Sequence, residues 1–431
     1  MDVASILGES LVGVALDQAL ARMSIIRDWT GNRAQRHMVD QYLEAELARM
    51  HPLAYQYIDR FATDPGALLH KELPGGRLDI PVTLTAEGPV QLGKLEPSKF
   101  EEWTSSGYLG IREAIGGRLW NGDCYSAVDI RADTSGRPVI DGGLTTYNSA
   151  LAHQDSVEWE LLVQASRRMS GKSTRSASLS DLHEALPLRR ALVNSYSSPM
   201  KAGTGPFSAL AISTLIVYKD RKAYKLMVGK RSAETGAHAD LFHVIPASMF
   251  QPELGSFAEE WDIRHTVLKE YAEELFNENL AQDAMNFRYF YRDSQPVAAL
   301  LKAIRSRRCT FVITGLVVNQ LNLRPEICAL LLVEDPKWWE TQSAHMRHNW
   351  EYVDRQELAH LASSRRRHWT DLRLVDIEQQ YQQYFGLSPA MWVPSGLAAL
   401  WLGVSAARSL LGQADPHPVP SVMSGGGDDA I

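Results

Sequence analysis

Lys269-Glu270-Tyr271-Ala272-Glu273-Glu274-Leu275 is the stretch on which the reading of this chain turns. It follows a segment that reads strand, loop, helix. Glutamates 270, 273 and 274 stand at i, i+3 and i+4, on one face of a helix and one turn apart. Three carboxylates held that close repel one another, which costs stability unless a cation sits between them. An oxygen-only donor set suits a hard cation such as Mg²⁺, which keeps several waters and meets substrate phosphates with the rest of its shell. The stretch therefore predicts a metal-dependent site for a phosphate-containing ligand.

On either side of this helix the pattern is that of a sheet. Leu210 to Tyr218 and Tyr224 to Gly229 are β-branched apolar runs that read as a hairpin across Lys219 to Ala223. Phe242 to Pro246 reads as a short third strand and Ile263 to Glu278 as the glutamate helix. Cys309 to Val318 and Ile327 to Glu334 are two further strands joined by the loop Asn319 to Glu326, and a helix is expected near Arg355 to Ser363. Gly386 to Ala407 carries no charge and approaches the length of a membrane span. Its large apolar residues, Leu397, Leu400, Trp401, Val404 and Leu411, form a stripe after Pro394. That favours a buried helix of a soluble fold, with Ser395 as its N-cap.

This order of elements resembles the Nudix hydrolase family. The family's box runs Gly, five residues, Glu, seven residues, Arg-Glu, apolar, any, Glu-Glu, any, Gly, apolar. Lys269 falls on the arginine, Glu270 on the next glutamate and Glu273-Glu274 on the pair. Val228-Gly229-Lys230-Arg231-Ser232 looks like the second strand leading into a basic turn, and His243-Val244-Ile245-Pro246-Ala247 like the strand entering the box. The likeness covers roughly residues 205 to 360 and departs from the pattern in places. The glycine pair is Ala247-Ser248, Gln251 to Asp262 reads as an insertion, the upstream glutamate register falls on Trp261 beside Glu259 and Glu260, and the closing glycine is Phe276.

The resemblance implies an α+β fold, with a Nudix-like α/β/α sandwich around a mixed sheet in the C-terminal half, preceded by a helical and β-rich N-terminal domain. It implies hydrolysis of a nucleoside diphosphate linked to another moiety, by attack of metal-activated water at phosphorus. Glu270, Glu273 and Glu274 would hold Mg²⁺ (Mn²⁺ as the alternative), with Glu273 and Glu274 the catalytic carboxylates, while Lys230 and Arg231 would bind substrate phosphate. Lys269 would orient the glutamates. A solvated hairpin end is the competing reading for Lys230 and Arg231.

Length and composition set the frame. At 431 residues the chain is long for one core. Residues 1–74 read as a helical N-terminal region, 75–195 as a small β-rich α+β domain, 203–412 as the Nudix-like domain with C-terminal helices, and 413–431 as a disordered tail. Ser170 to Ser180, with Gly171, Lys172 and Arg175, reads as a linker or exposed loop. The net charge of −7 argues against a general grip on nucleic acid. Three scattered cysteines, Cys124, Cys309 and Cys328, without CxxC spacing, suit reduced thiols in a cytoplasmic protein. The N-terminus lacks the basic start of a secretory signal. No membrane partner is expected, and a homo-oligomer stays open.

Other motifs are weaker. Trp338-Trp339 could stack on a base, although rim packing is the commoner fate of such aromatics. Arg365-Arg366-Arg367-His368 could meet phosphate, although a solvated helix end fits the acidic balance better. His238 and His243 read as structural. Two functional readings remain. One is a hydrolase with an accessory N-terminal domain. The other is a non-catalytic, Nudix-like nucleotide sensor or regulator coupled to an N-terminal interaction module. The acidic set favours the first, the lost glycines and the insertion the second.

Overall fold

In the computed structural model the described residues are 69–73, 76–99, 102, 120–170, 186, 189, 203–220, 223–232, 235, 238, 241–278, 280, 287–347, 351–352, 372–373 and 391–412. They form an α+β structure with open mixed sheets. In chain order the strands are β1 (Leu69–Leu73), β2 (Gly76–Ile80), β3 (Val82–Glu87), β4 (Gln91–Lys99), β5 (Asp123–Ala132), β6 (Pro138–Thr146), β7 (Ala211–Asp220), β8 (Ala223–Leu226), β9 (Val228–Lys230), β10 (Phe242–Val244), β11 (Ala247–Met249), β12 (Cys309–Asn319), β13 (Pro325–Val333) and β14 (Leu372–Arg373). The helices are α1 (Tyr147–Ser170), α2 (Ile263–Phe276), α3 (Phe287–Asp293), α4 (Gln295–Arg305), α5 (Trp338–Gln342) and α6 (Pro394–Leu410).

The main sheet has seven strands, ordered β14-β8-β7-β13-β12-β3, with β11 also paired to β7. Its centre, β7 beside β13, is parallel, in the register Ile212↔Ile327 and Ile216↔Leu331. Both strands are buried along nearly their whole length, as a sheet covered on both faces requires. Alternation then assigns each side chain to a face. Ile212, Ile216 and Tyr218 of β7, with Ile327, Ala329, Leu331 and Val333 of β13, enter one core together with Val267, Leu268, Tyr271 and Leu275 of α2. Leu215 and Val217, with Cys328, Leu330 and Leu332, enter a second core with Leu397, Leu400, Trp401 and Val404 of α6. Gly403 lets α6 lie close, since a Cβ there would stand 2.7 Å from a Leu215 methyl.

The expected hairpin is present, Asp220 facing Ala223, but the second run is divided. β8 stays with β7, while β9 leaves to pair with β10. Within the uncharged stretch, Trp392 to Val404 is buried on all sides, not only along the expected stripe, with Leu397, Leu400, Trp401 and Val404 in the second core. No helix among the described residues is long and apolar enough to cross a membrane. The expected cap is corrected: Val393 holds the N-cap position with Pro394 following, and Ser395 lies buried inside the first turn. Proline suits that first position because its missing N–H would have had no helical partner there.

The 75–195 stretch divides its strands among three sheets, with β2 paired to β1 in a two-stranded one. β4, β6 and β5 make a three-stranded sheet, whereas β3 is the edge strand of the main sheet beside β12. β5 is also tied to the residue after β11 and the residue before β7: Tyr125 N donates to Phe250 O (2.9 Å) and Leu210 N to Tyr125 O (3.1 Å). Trp338 and Trp339 are buried, Trp339 stacked on Tyr218 with centroids 4.7 Å apart, so they pack the core rather than offering a platform. The three cysteines are free and buried. The 1–74 region read as helical is described only at Leu69–Leu73, which is the strand β1, and Ser170 of the expected linker ends α1. Linker residues 171–180, the helix expected at 355–363, the Arg365–His368 cluster and the tail lie outside the described residues.

Candidate functional site

α2 begins where the sequence places it. Asp262 caps it by accepting from His265 N (2.6 Å), and Asn277, left-handed at φ 55°, ends it. Apolar residues at 267, 268, 271, 272 and 275 hold one face in the core. At about 100° per residue, Glu270 and Glu273 fall off that face, while Glu274 sits nearer to it. Exposure follows the geometry. Glu273 is half-buried, Glu270 is buried, and Glu274 is enclosed, accepting from Ala247 N (3.0 Å) and from the Tyr352 hydroxyl (3.0 Å). Glu274 thus ties α2 to β11, at the position where the resemblance expects a glycine.

Glu270 and Glu273 line a cavity of about 170 Å³. Arg231, His238, His243, Glu253, Arg324, Glu326, Glu351 and Tyr147 also face it. Arg231 stands 3.8 Å from Glu351. Lys230, at the end of β9 opposite Phe242, does not line the cavity, and neither does Glu274. Glu253, Glu351, Arg324 and Glu326 had no motif to announce them. Glu253 belongs to the stretch read as an insertion, and the others lie some fifty residues or more along the chain from α2.

The insertion is built around Glu260. Its carboxylate, buried, accepts from the backbone N–H groups of Glu253 (2.8 Å), Leu254 (3.0 Å) and Ser256 (3.0 Å). Burial opposes ionisation, but His265 and these N–H groups outweigh it and hold the carboxyl below its usual range. Trp261, next to it, packs on Tyr125 and closes over Gly142, where a Cβ would lie 2.5 Å from the indole. So fixed, the loop presents Glu253 to Lys269. The Lys269 ammonium, wholly buried, lies 3.3 Å from Glu253 and 3.2 Å from Glu270, and donates to Gln251 O (3.1 Å). Burial alone would lower its pKa, but Glu253 and Glu270 raise it well above the ordinary value.

One internal ammonium does not balance the cavity. Five glutamates face it against two arginines. Burial, in part offset by Lys269 and reinforced by Glu253, pushes Glu270 up to about 7. Glu273 is raised well above its ordinary value by burial and by Glu270 and Glu253, against the pull of Lys269. Glu274 is raised by burial, Glu351 and Glu270, and Glu351 by burial. The missing ingredient is positive charge. Oxygen donors in excess around the cavity suit a hard divalent cation. Among the described residues, however, no three His, Cys, Asp or Glu side chains already stand together as a metal-ligating group.

His243 is buried and its pKa is lowered to about 4 by that burial. Its Nδ1 meets Val244 O at 2.9 Å. Gly396 of α6 permits this placement, since a Cβ there would come within 3.0 Å of the imidazole. No protein-family model matches the chain, and comparison with curated proteins gives no significant match.

Proposed function

We propose that this chain is a Nudix-type hydrolase that cleaves a nucleoside diphosphate linked to another moiety by water attack at phosphorus. The observation that carries the reading is the excess of buried carboxylates around one cavity, at the helix whose sequence resembles the Nudix box. The mixed sheet with α2 on one face and α6 on the other supports it.

Glu270 and Glu273, joined by Glu253 or Glu351, would hold Mg²⁺, with Mn²⁺ as the alternative. Glu274 braces α2 against β11. When bound, the ion would polarise a phosphoryl oxygen and lower the pKa of a water. Arg231 supplies fixed positive charge for a phosphate oxygen at the cavity wall. Glu273, or Glu351 from the later loop, takes the proton of the attacking water, and a carboxyl with a raised pKa suits that role near neutrality. Lys269 keeps Glu253 and Glu270 in place. The cavity of about 170 Å³ is smaller than a typical ligand pocket of about 300–1,000 Å³. It takes the phosphoryl centre and leaves the rest of the substrate outside.

The test is Mg²⁺-dependent phosphate release from nucleotide-sugars, dinucleotides and NAD-like compounds. Wild type should turn over at least one of them, and Glu273→Gln should lower its kcat by about 10²-fold or more. The alternative, a nucleotide sensor without turnover, is favoured by the internal salt bridges of Lys269, which already occupy two of the carboxylates. It gains the field if no compound is cleaved while one raises Tm.

A further inference from the structure

Arg324 reaches the same cavity from the loop between β12 and β13. It is 7% exposed, and Nη2 donates to Glu326 at 2.9 Å. The two members of this buried pair are unequally satisfied. Both Glu326 oxygens are engaged, one by Arg324 and the other by the Ser213 hydroxyl. The Arg324 Nε is buried with no acceptor among the described residues. A buried guanidinium N–H left without a partner is costly, and Arg324 lines the cavity, where a ligand can supply an acceptor to its guanidinium.

The loop is built to hold that guanidinium still. Asn322 Oδ1 accepts from Arg324 N (3.1 Å), and Asn319 Oδ1 from Leu321 N (3.0 Å). Arg189 donates to the carbonyls of Gln320 and Leu321, while Glu158 of α1 accepts from Asn322 at 3.4 Å. Gly203 permits close approach, since a Cβ there would stand 2.0 Å from Leu323 O. His243, buried at the same cavity and kept neutral near pH 7, adds no competing charge.

We propose that Arg324 is an anion-binding residue of this cavity, donating to a phosphoryl oxygen of a diphosphate ligand opposite the glutamates of α2. The inference rests on the hydrolase reading for its choice of ligand, but not on turnover. It also gives the 75–195 stretch a part in the site, because residues 158 and 189 clamp the loop that presents Arg324.

Calorimetric titration of the full chain with inorganic pyrophosphate and Mg²⁺ tests it. Wild type should bind, and Arg324→Gln should weaken binding by about tenfold or more. Arg324→Lys should fall between them, since an ammonium keeps the charge but loses the planar fork. Glu326→Gln, which keeps the shape and removes the competing anion, should tighten binding severalfold. A purely structural ion pair would instead lose stability in these variants with pyrophosphate affinity unchanged, and that result overturns the proposal, as does a wild type that binds no pyrophosphate. If Arg324→Gln does not fold, Arg324→Lys and Glu326→Gln carry the test. Arginine-dependent binding without cleavage of any nucleotide would leave Arg324 in place and remove the hydrolase reading. Cleavage with an unchanged KM in Arg324→Gln would do the reverse.

Discussion

Lys269 is the residue at which the site's electrostatics are decided. It is wholly buried between Glu253 and Glu270, and removing one partner of such a pair leaves uncompensated charge. Lys269→Met should therefore destabilise the metal-free protein by about 3–5 kcal/mol, measured by urea unfolding. Saturating Mg²⁺ should recover part of that loss. The glutamates give the opposite sign. Glu270 has its pKa raised to about 7, above an unfolded value of about 4.3. A carboxyl of this kind stabilises the fold below the unfolded pKa and loses that contribution as pH rises through the folded one. Tm of the chelated protein should thus fall between about pH 5 and pH 8, and Glu270→Gln should flatten the slope. A Tm that rises over that window would contradict the repulsive cluster. The spacing 270/273/274 was legible in sequence. That Glu274 would be spent on Ala247 and Tyr352 was not, because its partners lie far along the chain.

Among the elements, the insertion between β11 and α2 shows how a loop without regular structure can be rigid. Glu260 satisfies three backbone N–H groups, that of the buried Leu254 among them. Glu260→Ala should cost about 2 kcal/mol or more and speed hydrogen exchange across 251–262. Protection unchanged from wild type would show that Trp261 alone anchors the loop. The sequence marks this segment only as an interruption of the box pattern, since nothing local says which carboxylate turns inward. β8 and β9 make a similar point. One continuous apolar run was readable, but its division between two partners depends on β7 and β10. Ser395 reads as a cap from residue type alone, yet the helix starts at Pro394 with Val393 as its cap, two positions earlier.

Over the whole molecule, the two halves share hydrogen bonds and core. β3 completes the main sheet on β12, β5 exchanges backbone bonds with residues 210 and 250, and Gly142 lies under Trp261. Fragment 203–431 would expose the edge of β12 and the apolar surface that β5 and β6 cover, and it should show no cooperative unfolding transition by circular dichroism. A fragment melting as sharply as the full chain would show that the halves are independent. In the intact protein, Gly142→Ala should cost about 1–3 kcal/mol, because the added methyl meets the indole of Trp261.

Local periodicity was enough to determine the glutamate helix, its apolar face, the two central strands and the buried stripe of α6, because each rests on spacing within a few residues. Which carboxylates would share a cavity, which arginine would join them and where β3 would pair were decided only by tertiary structure. Those outcomes depend on contacts between residues far apart in the chain, whose geometry no local pattern encodes.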